Sequence, residues 1–473
     1  VRSGGYRGCS SQNDIDTLRR VKIPAATPNR VRNHSSRVDQ AIWWQVYPLG
    51  FLGAEPVALQ PYAEVRHRLR GLEAWLDYAV HLGCSGLLLG PIFAAESHGY
   101  DTVDHLRLDP RLGTDDDFDH LVTGAHRRGL KVLLDGVFNH VGRSFPRFVE
   151  AAAADADSPA GRWFQRLPTD DGRTEYATFE GHGHLVTLNH DEPAVAAYVT
   201  RVLTHWLDRG ADGWRLDAAY AIPASFWQEV LPPVRRRHPD AWFVGEMIHG
   251  DYAGYITASG LDSITQYELW KAIWSSLNDQ NFFELAWALD RHNGFLDTFA
   301  PQTFVGNHDV TRLASRLDHP DHLGHALAVL FVAGGVPSIY AGDEQAFQGV
   351  KEERAGGDDA IRPAFPESPE GLPPEGWPTF ELHRRLIALR RRHPWLVGAR
   401  TKVEHLTNRS CALRATAPDH PDHDLLALLN IDEQPYAFPL DTDGRMVEVA
   451  SDLNASHDDP VLVPGHGWAI LSR

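Results

Sequence analysis

At 473 residues, with 43% hydrophobic and 23% charged side chains, the chain has the composition of an ordinary globular protein and the length for two or more domains. Its 45 basic and 63 acidic residues leave a formal charge of −18, which argues against nucleic acid or an anionic membrane as partner and suits a neutral small molecule. No run reaches the roughly 18–20 apolar residues of a membrane span. Cys9, Cys84 and Cys411 cannot all pair with one another, and Cys84 sits in an apolar run, so free thiols and a reducing, cytoplasmic compartment are expected. Residues 1–40 are rich in Arg, Ser, Asn and Gly, without periodicity or a basic-then-apolar signal pattern, and are expected to be a loosely ordered or non-native leader.

From residue 41 short apolar runs alternate with amphipathic stretches. The runs are 41–47 (AIWWQVY), 84–89 (CSGLLL), 130–136 (LKVLLDG), 211–217 (ADGWRLD), 242–246 (WFVGE), 261–266 (LDSITQ), 302–306 (QTFVG) and 335–340 (GVPSIY). Helical patterns lie between most of them, as at 72–82, 115–128, 194–209 and 226–237. Alternating strand and helix implies parallel strands with crossover helices, and eight such units predict a (β/α)8 TIM barrel over 41–140 and 194–398. A doubly wound open sheet is the rival, disfavoured because no Gly-rich fingerprint follows the first strand. The interval 141–193 is too long for a plain loop and reads as a subdomain inserted after strand three. Residues 399–473 carry short alternating runs broken by Asp, Pro and Gly, which predict a C-terminal antiparallel β-domain.

In such a barrel the active site lies at the C-terminal strand ends. Run three ends in Asp135, followed by Asn139 and His140; run four in Arg215 and Asp217; run five in Glu246; and Asn307, His308 and Asp309 follow run seven. Carboxylates, an arginine and histidines therefore converge on one face. Paired carboxylates suit glycoside cleavage, in which one attacks the sugar carbon and the other gives a proton to the leaving oxygen. Arg215 and Asp217 are two residues apart on a strand, so their side chains point the same way, and the arginine is expected to keep Asp217 ionised. Adjacent charge and burial are expected to raise the pKa of the acid, Glu246. The aromatic residues are read mainly as core, with some faces available to stack on sugar rings.

The stretches DGVFNH, GWRLDA, GEM and FVGNHD, in this order, resemble the four signature segments of the α-amylase family, glycoside hydrolase family 13. HGYDTVDHLRLDPRLGT at 98–114 and GGVPSIYAGDEQ at 334–345 resemble two more, and the likeness covers roughly 41–395. The resemblance implies a retaining α-glycosidase of the oligosaccharide-active, cyclomaltodextrinase-like kind. It implies Asp217 as nucleophile, Glu246 as acid/base and Asp309 as the residue that binds ring hydroxyls and distorts the sugar. It further implies that His140 and His308 bind hydroxyls, that Tyr100 stacks on the same sugar, and that Asp358 and Arg362 (DDAIR) fix the outermost sugar. Asp135 is taken as scaffold, and Asp104 and Asp109 as turn structure. No cofactor is required. A calcium ion is conceivable near Asn139, but the histidine common four residues after the nucleophile is replaced by Ala221, and Tyr220 stands where a lysine is frequent. No HExxH motif or Cys/His cluster suggests zinc.

Ala218 after the nucleophile, where valine accompanies α-1,6 activity in the family, points to α-1,4 linkages in an α-glucoside or short malto-oligosaccharide. Met247, Ile248 and His249 are candidates to line the acceptor side. Hydrolysis, transglycosylation or disaccharide isomerisation, and a non-catalytic binding role remain as three readings, the last disfavoured because all three carboxylates are present. The oligomeric state stays open.

Overall fold

The computed structural model describes residues 40–60, 63–168, 174–354, 356–420, 422–442, 444–451 and 462–473. The expected leader, with Cys9, lies outside the described residues apart from Gln40. Eight parallel strands form the barrel: β1 (Trp43–Val46), β2 (Gly86–Leu89), β3 (Lys131–Gly136), β4 (Gly213–Leu216), β5 (Trp242–Gly245), β6 (Ser263–Ile264), β7 (Gln302–Thr303) and β8 (Val336–Tyr340). Hydrogen bonds run β6-β5-β4-β3-β2-β1-β8-β7, and a parallel bridge from Thr265 to Gln302 joins the two ends. The expected TIM barrel is present. β6 and β7 are two residues each, shorter than their runs suggest.

The strands read as apolar runs because helices cover them outside and side chains fill them inside. Trp43, Leu88, Leu133, Trp242, Val244 and Val336 pack together within the barrel, with Trp43 and Trp242 stacked at 5.7 Å. Strand period two makes the next inward residue polar on three of these strands: Gln45 above Trp43, Asp135 above Leu133, Glu246 above Val244. The inward face thus changes from apolar plug to polar rim within one strand repeat. Register completes the arrangement. Arg215 lies beside Asp135 on one side and Val244 on the other, and Leu216 pairs with Gly245, so Asp217 and Glu246 leave adjacent strands at the same level.

Helices Glu73–Leu82, Asp115–Arg127, Pro193–Asp208 and Ala224–Arg237 fall within two residues of their predicted ends. Helix Asp115–Arg127 begins at a capping box in which Thr114 and Asp117 satisfy each other's backbone. Asp117 is buried and also accepts from His67 Nδ1 at 2.6 Å and from Arg70 Nε. Asp117→Ala removes the cap and orphans those donors, and is expected to lower unfolding free energy by roughly 2–4 kcal/mol in a denaturant titration.

Within 141–193 the chain forms helix Pro146–Ala152, a hairpin of Arg166–Pro168 with Thr174–Tyr176, and strand Leu185–Thr187, which pairs with His140–Gly142. The C-terminal sheet is antiparallel: β9 (Arg400–Leu406), β10 (Ser410–Thr416), β11 (Asp424–Asn430) and β13 (Trp468–Ser472) lie in that order, with β12 (Met446–Ala450) at the edge. It packs on helix Leu323–Val332, where His325 Nε2 donates to the carbonyls of Asn430 and Gly467 at 3.0 and 2.9 Å. A Cβ on Gly324 would stand 2.3 Å from Trp468 Nε1, so only glycine permits this approach. Cys84 and Cys411 are buried and unpaired. Among the described residues no helix is long and apolar enough to cross a membrane.

Candidate active site

One guanidinium organises the barrel mouth. Arg215, 3% exposed, donates through Nη1 to both oxygens of Asp135 at 2.8 and 2.6 Å and lies 3.3 Å from Asp217 Oδ1. Its Nη2 is 2.8 Å from Glu246 Oε1 and 4.0 Å from Asp309 Oδ2. Four carboxyls around one fixed cation cannot all ionise freely, so some must hold protons. Burial pushes Asp135 up to about 6 against the pull of Arg215. Asp217 is pushed well up by burial and by the Glu246 carboxylate, which together outweigh Arg215. This departs from the expectation that the arginine keeps Asp217 ionised: Arg215 lies closer to Glu246 than to Asp217, and burial with the neighbouring carboxylate outweighs it.

Asp309 differs. Burial opposes its charge, but His308, Arg362 and Arg215 outweigh burial and hold the carboxyl at about 2. Arg362 Nη2 bonds Asp309 Oδ1 at 2.8 Å, its Nε donates to the His308 carbonyl at 2.8 Å, and its guanidinium lies over the Tyr47 ring. Asp358 grips the same Nη2 at 2.9 Å. The Asp358–Arg362 pair is therefore brought into the site, and Arg362 acts as the anchor of Asp309, a contact that the expected role of fixing an outer sugar did not include.

His308 is wedged between Gln45 Nε2, 3.0 Å from its Nδ1, and Asp309 Oδ2, 3.0 Å from its Nε2. Tyr100 sets its hydroxyl against the same Nε2, donates to Asp135 Oδ2 at 3.1 Å and lies nearly parallel to the imidazole. Burial drives the pKa of both His308 and His140 down to about 3, so both rings are neutral. His140 is flanked by Phe179 of the inserted segment, stacked at 4.6 Å, and its buried Nε2 has no hydrogen-bond partner among the described residues.

Sequence reasoning missed several residues here. Tyr267 donates to Glu246 Oε1 at 3.2 Å and accepts from Asn307 Nδ2 at 2.8 Å. It directly follows run six, so the strand-end rule could have reached it. Gln45 was visible as the one polar residue inside an apolar run. Ala218 carries no such signal: its φ of 46° is a left-handed conformation costing a non-glycine residue about 1–2 kcal/mol, and it aims the Ala218 N–H at Glu246 Oε2, 2.9 Å away.

Beside Glu246 a cavity of about 380 Å³ is walled by Tyr220, Met247, His249, Asp251 and Tyr255, among others. Met247 and His249 line it, while Ile248 is exposed outside it. Tyr220 closes one wall, held by its hydroxyl on Glu180 at 2.7 Å and packed against His249 at 5.5 Å.

The chain is 32% identical to neopullulanase 2 of Thermoactinomyces vulgaris over 391 residues, 77% of this chain and 65% of the relative. It is 30% identical to a cyclomaltodextrinase of a Bacillus species over 356 residues, 70% of this chain and 63% of the relative, so the matches span slightly less than two thirds of these relatives' length. The fold matches a cyclic α-maltosyl-(1→6)-maltose hydrolase of Arthrobacter globiformis with a TM-score of 0.74 at 25% identity, covering 92% of this chain and 99% of that one. A family model described as the alpha amylase catalytic domain matches residues 45–370, and the chain belongs to the α-amylase family, glycoside hydrolase family 13.

Proposed function

We propose that the protein is a retaining glycoside hydrolase that cleaves α-glucosidic bonds, chiefly α-1,4, in short malto-oligosaccharides or related glucosides. The observation that carries the reading is the placement of Asp217 and Glu246 at the same level on adjacent strands, leaning on one arginine. In the first step an Asp217 oxygen bonds to the anomeric carbon, the glycosidic C–O bond breaks, and Glu246 gives its proton to the departing oxygen. In the second step water attacks that carbon, loses a proton to Glu246, and the bond to Asp217 breaks. The first step needs Glu246 protonated and Asp217 ionised, and Arg215 balances the charge on Asp217. Asp309, His140 and His308 hold ring hydroxyls, with Tyr100 against the sugar face. The names of the relatives, a cyclomaltodextrinase, a neopullulanase and a cyclic tetrasaccharide hydrolase, support an α-glucan oligosaccharide.

We further propose that catalysis needs no metal. Calcium takes 6–8 oxygen ligands, whereas the Asn139 amide nitrogen faces His140 Nδ1 at 3.2 Å and Ala221 offers no side-chain oxygen, so the residues here do not fit that ion. The buried unpaired Cys84 and Cys411 support a reducing, cytoplasmic setting.

Transglycosylation is the second reading, favoured by the aromatic-walled cavity beside Glu246, which can seat an acceptor sugar. Incubation with maltotriose, a cyclodextrin, trehalose and sucrose, followed by chromatography, separates the two. Glucose or maltose alone indicates hydrolysis; longer or isomeric products indicate transfer; no turnover of any of them counts against both. His249→Ala is expected to change the ratio of transfer to hydrolysis products, and an unchanged ratio would remove His249 from the acceptor side.

A further inference from the structure

Where the barrel packs on the C-terminal sheet, three imidazoles converge that share no residue with the carboxylate cluster. His319 and His322 bracket the turn Pro320–His322 ahead of helix Leu323–Val332, and His466 comes from the loop before β13. One ligand nitrogen from each lies within 4.8 Å of the other two. His322 Nε2 and His466 Nδ1 are 3.0 Å apart, and the His319 and His466 rings stack at 4.1 Å. His322 is buried, with its ring 4.8 Å from that of His319. His466 adopts a left-handed φ of 51° between Gly465 and Gly467, a conformation histidine tolerates better than most non-glycine residues. His319 Nδ1 accepts from the Asp321 N–H at 3.3 Å, which caps the turn and fixes the ring.

We propose that His319, His322 and His466 bind one divalent transition-metal ion of the zinc class and thereby tie the barrel to the C-terminal β-domain. Three imidazoles without thiolate select Zn²⁺, Co²⁺, Ni²⁺ or Cu²⁺ over the hard ions Ca²⁺ and Mg²⁺. Metal–nitrogen bonds of about 2.0–2.1 Å set ligand nitrogens roughly 3.3 Å apart in a tetrahedron, so closing the trio requires at most about 1.5 Å of movement. Two of the three rings are partly exposed, leaving the fourth position to water. The sequence hides the site because His322 and His466 are 144 residues apart.

The test uses the full chain, stripped with a chelator and titrated with Zn²⁺ and Co²⁺. One equivalent of each is expected to bind, Co²⁺ giving the absorption of a four- or five-coordinate ion and Zn²⁺ raising Tm. His466→Asn, which keeps a residue tolerant of positive φ, and the milder His319→Gln should each weaken binding at least about tenfold. Hydrolytic activity of the stripped protein should match that of the loaded protein at a temperature well below Tm. Absence of stoichiometric binding, an octahedral Co²⁺ spectrum, or binding unchanged in variants whose metal-free circular dichroism is native would overturn the proposal.

Discussion

Asp217→Asn is expected to lose at least about 10³-fold in kcat on a maltooligosaccharide while keeping the fold, because it removes the group that forms the covalent bond. The same substitution is expected to raise Tm at pH 8. Burial and Glu246 lift the folded-state pKa of Asp217 above its unfolded value of about 3.9, so the folded chain holds that proton more tightly. For an acid with a raised pKa the ionised form costs stability at high pH, and the cost disappears as pH falls below the unfolded value. The gain in Tm should therefore be largest at alkaline pH and vanish near pH 4. A variant that is inactive and less stable at pH 8 would mean that Asp217 is held by favourable contacts, and that the sign of its shift is wrong.

Arg215→Met carries the largest expected cost in stability, roughly 3–5 kcal/mol at pH 7–8, measured by denaturant unfolding. It leaves Asp135, Asp217 and Glu246 buried without their cation. The pKa values of Asp135 and Asp217, already raised, then rise further above their unfolded values. The penalty should accordingly be greatest at alkaline pH and shrink as pH falls toward 5 and the carboxyls take up protons. Arg215→Lys should recover little, since one ammonium cannot reach Asp135 through one nitrogen and Glu246 through another as the guanidinium does.

The barrel was legible because parallel strands buried on both faces leave continuous apolar runs, as in GLLL of β2, and because helices such as Asp115–Arg127 keep a clean amphipathic pattern. The carboxylates were legible because a polar residue ending such a run stands at the barrel mouth. What stayed hidden depends on three-dimensional proximity or on backbone conformation. Arg362 reaches Asp309 across 53 residues, and the left-handed Ala218 turns an N–H onto Glu246. The upward shift of Asp217 was not foreseen because sequence spacing shows which side chains share a face, whereas its burial and the closer arginine contact, with Glu246, depend on distances that spacing does not contain.

The most direct test of double displacement through Asp217 is mass spectrometry of the protein quenched during turnover of a fluorinated α-glucosyl fluoride, whose second step is slow. The account predicts one added glycosyl group, located in peptic fragments to Asp217. Attachment at Glu246 or Asp309, or steady turnover of this substrate with no covalent adduct, would contradict it.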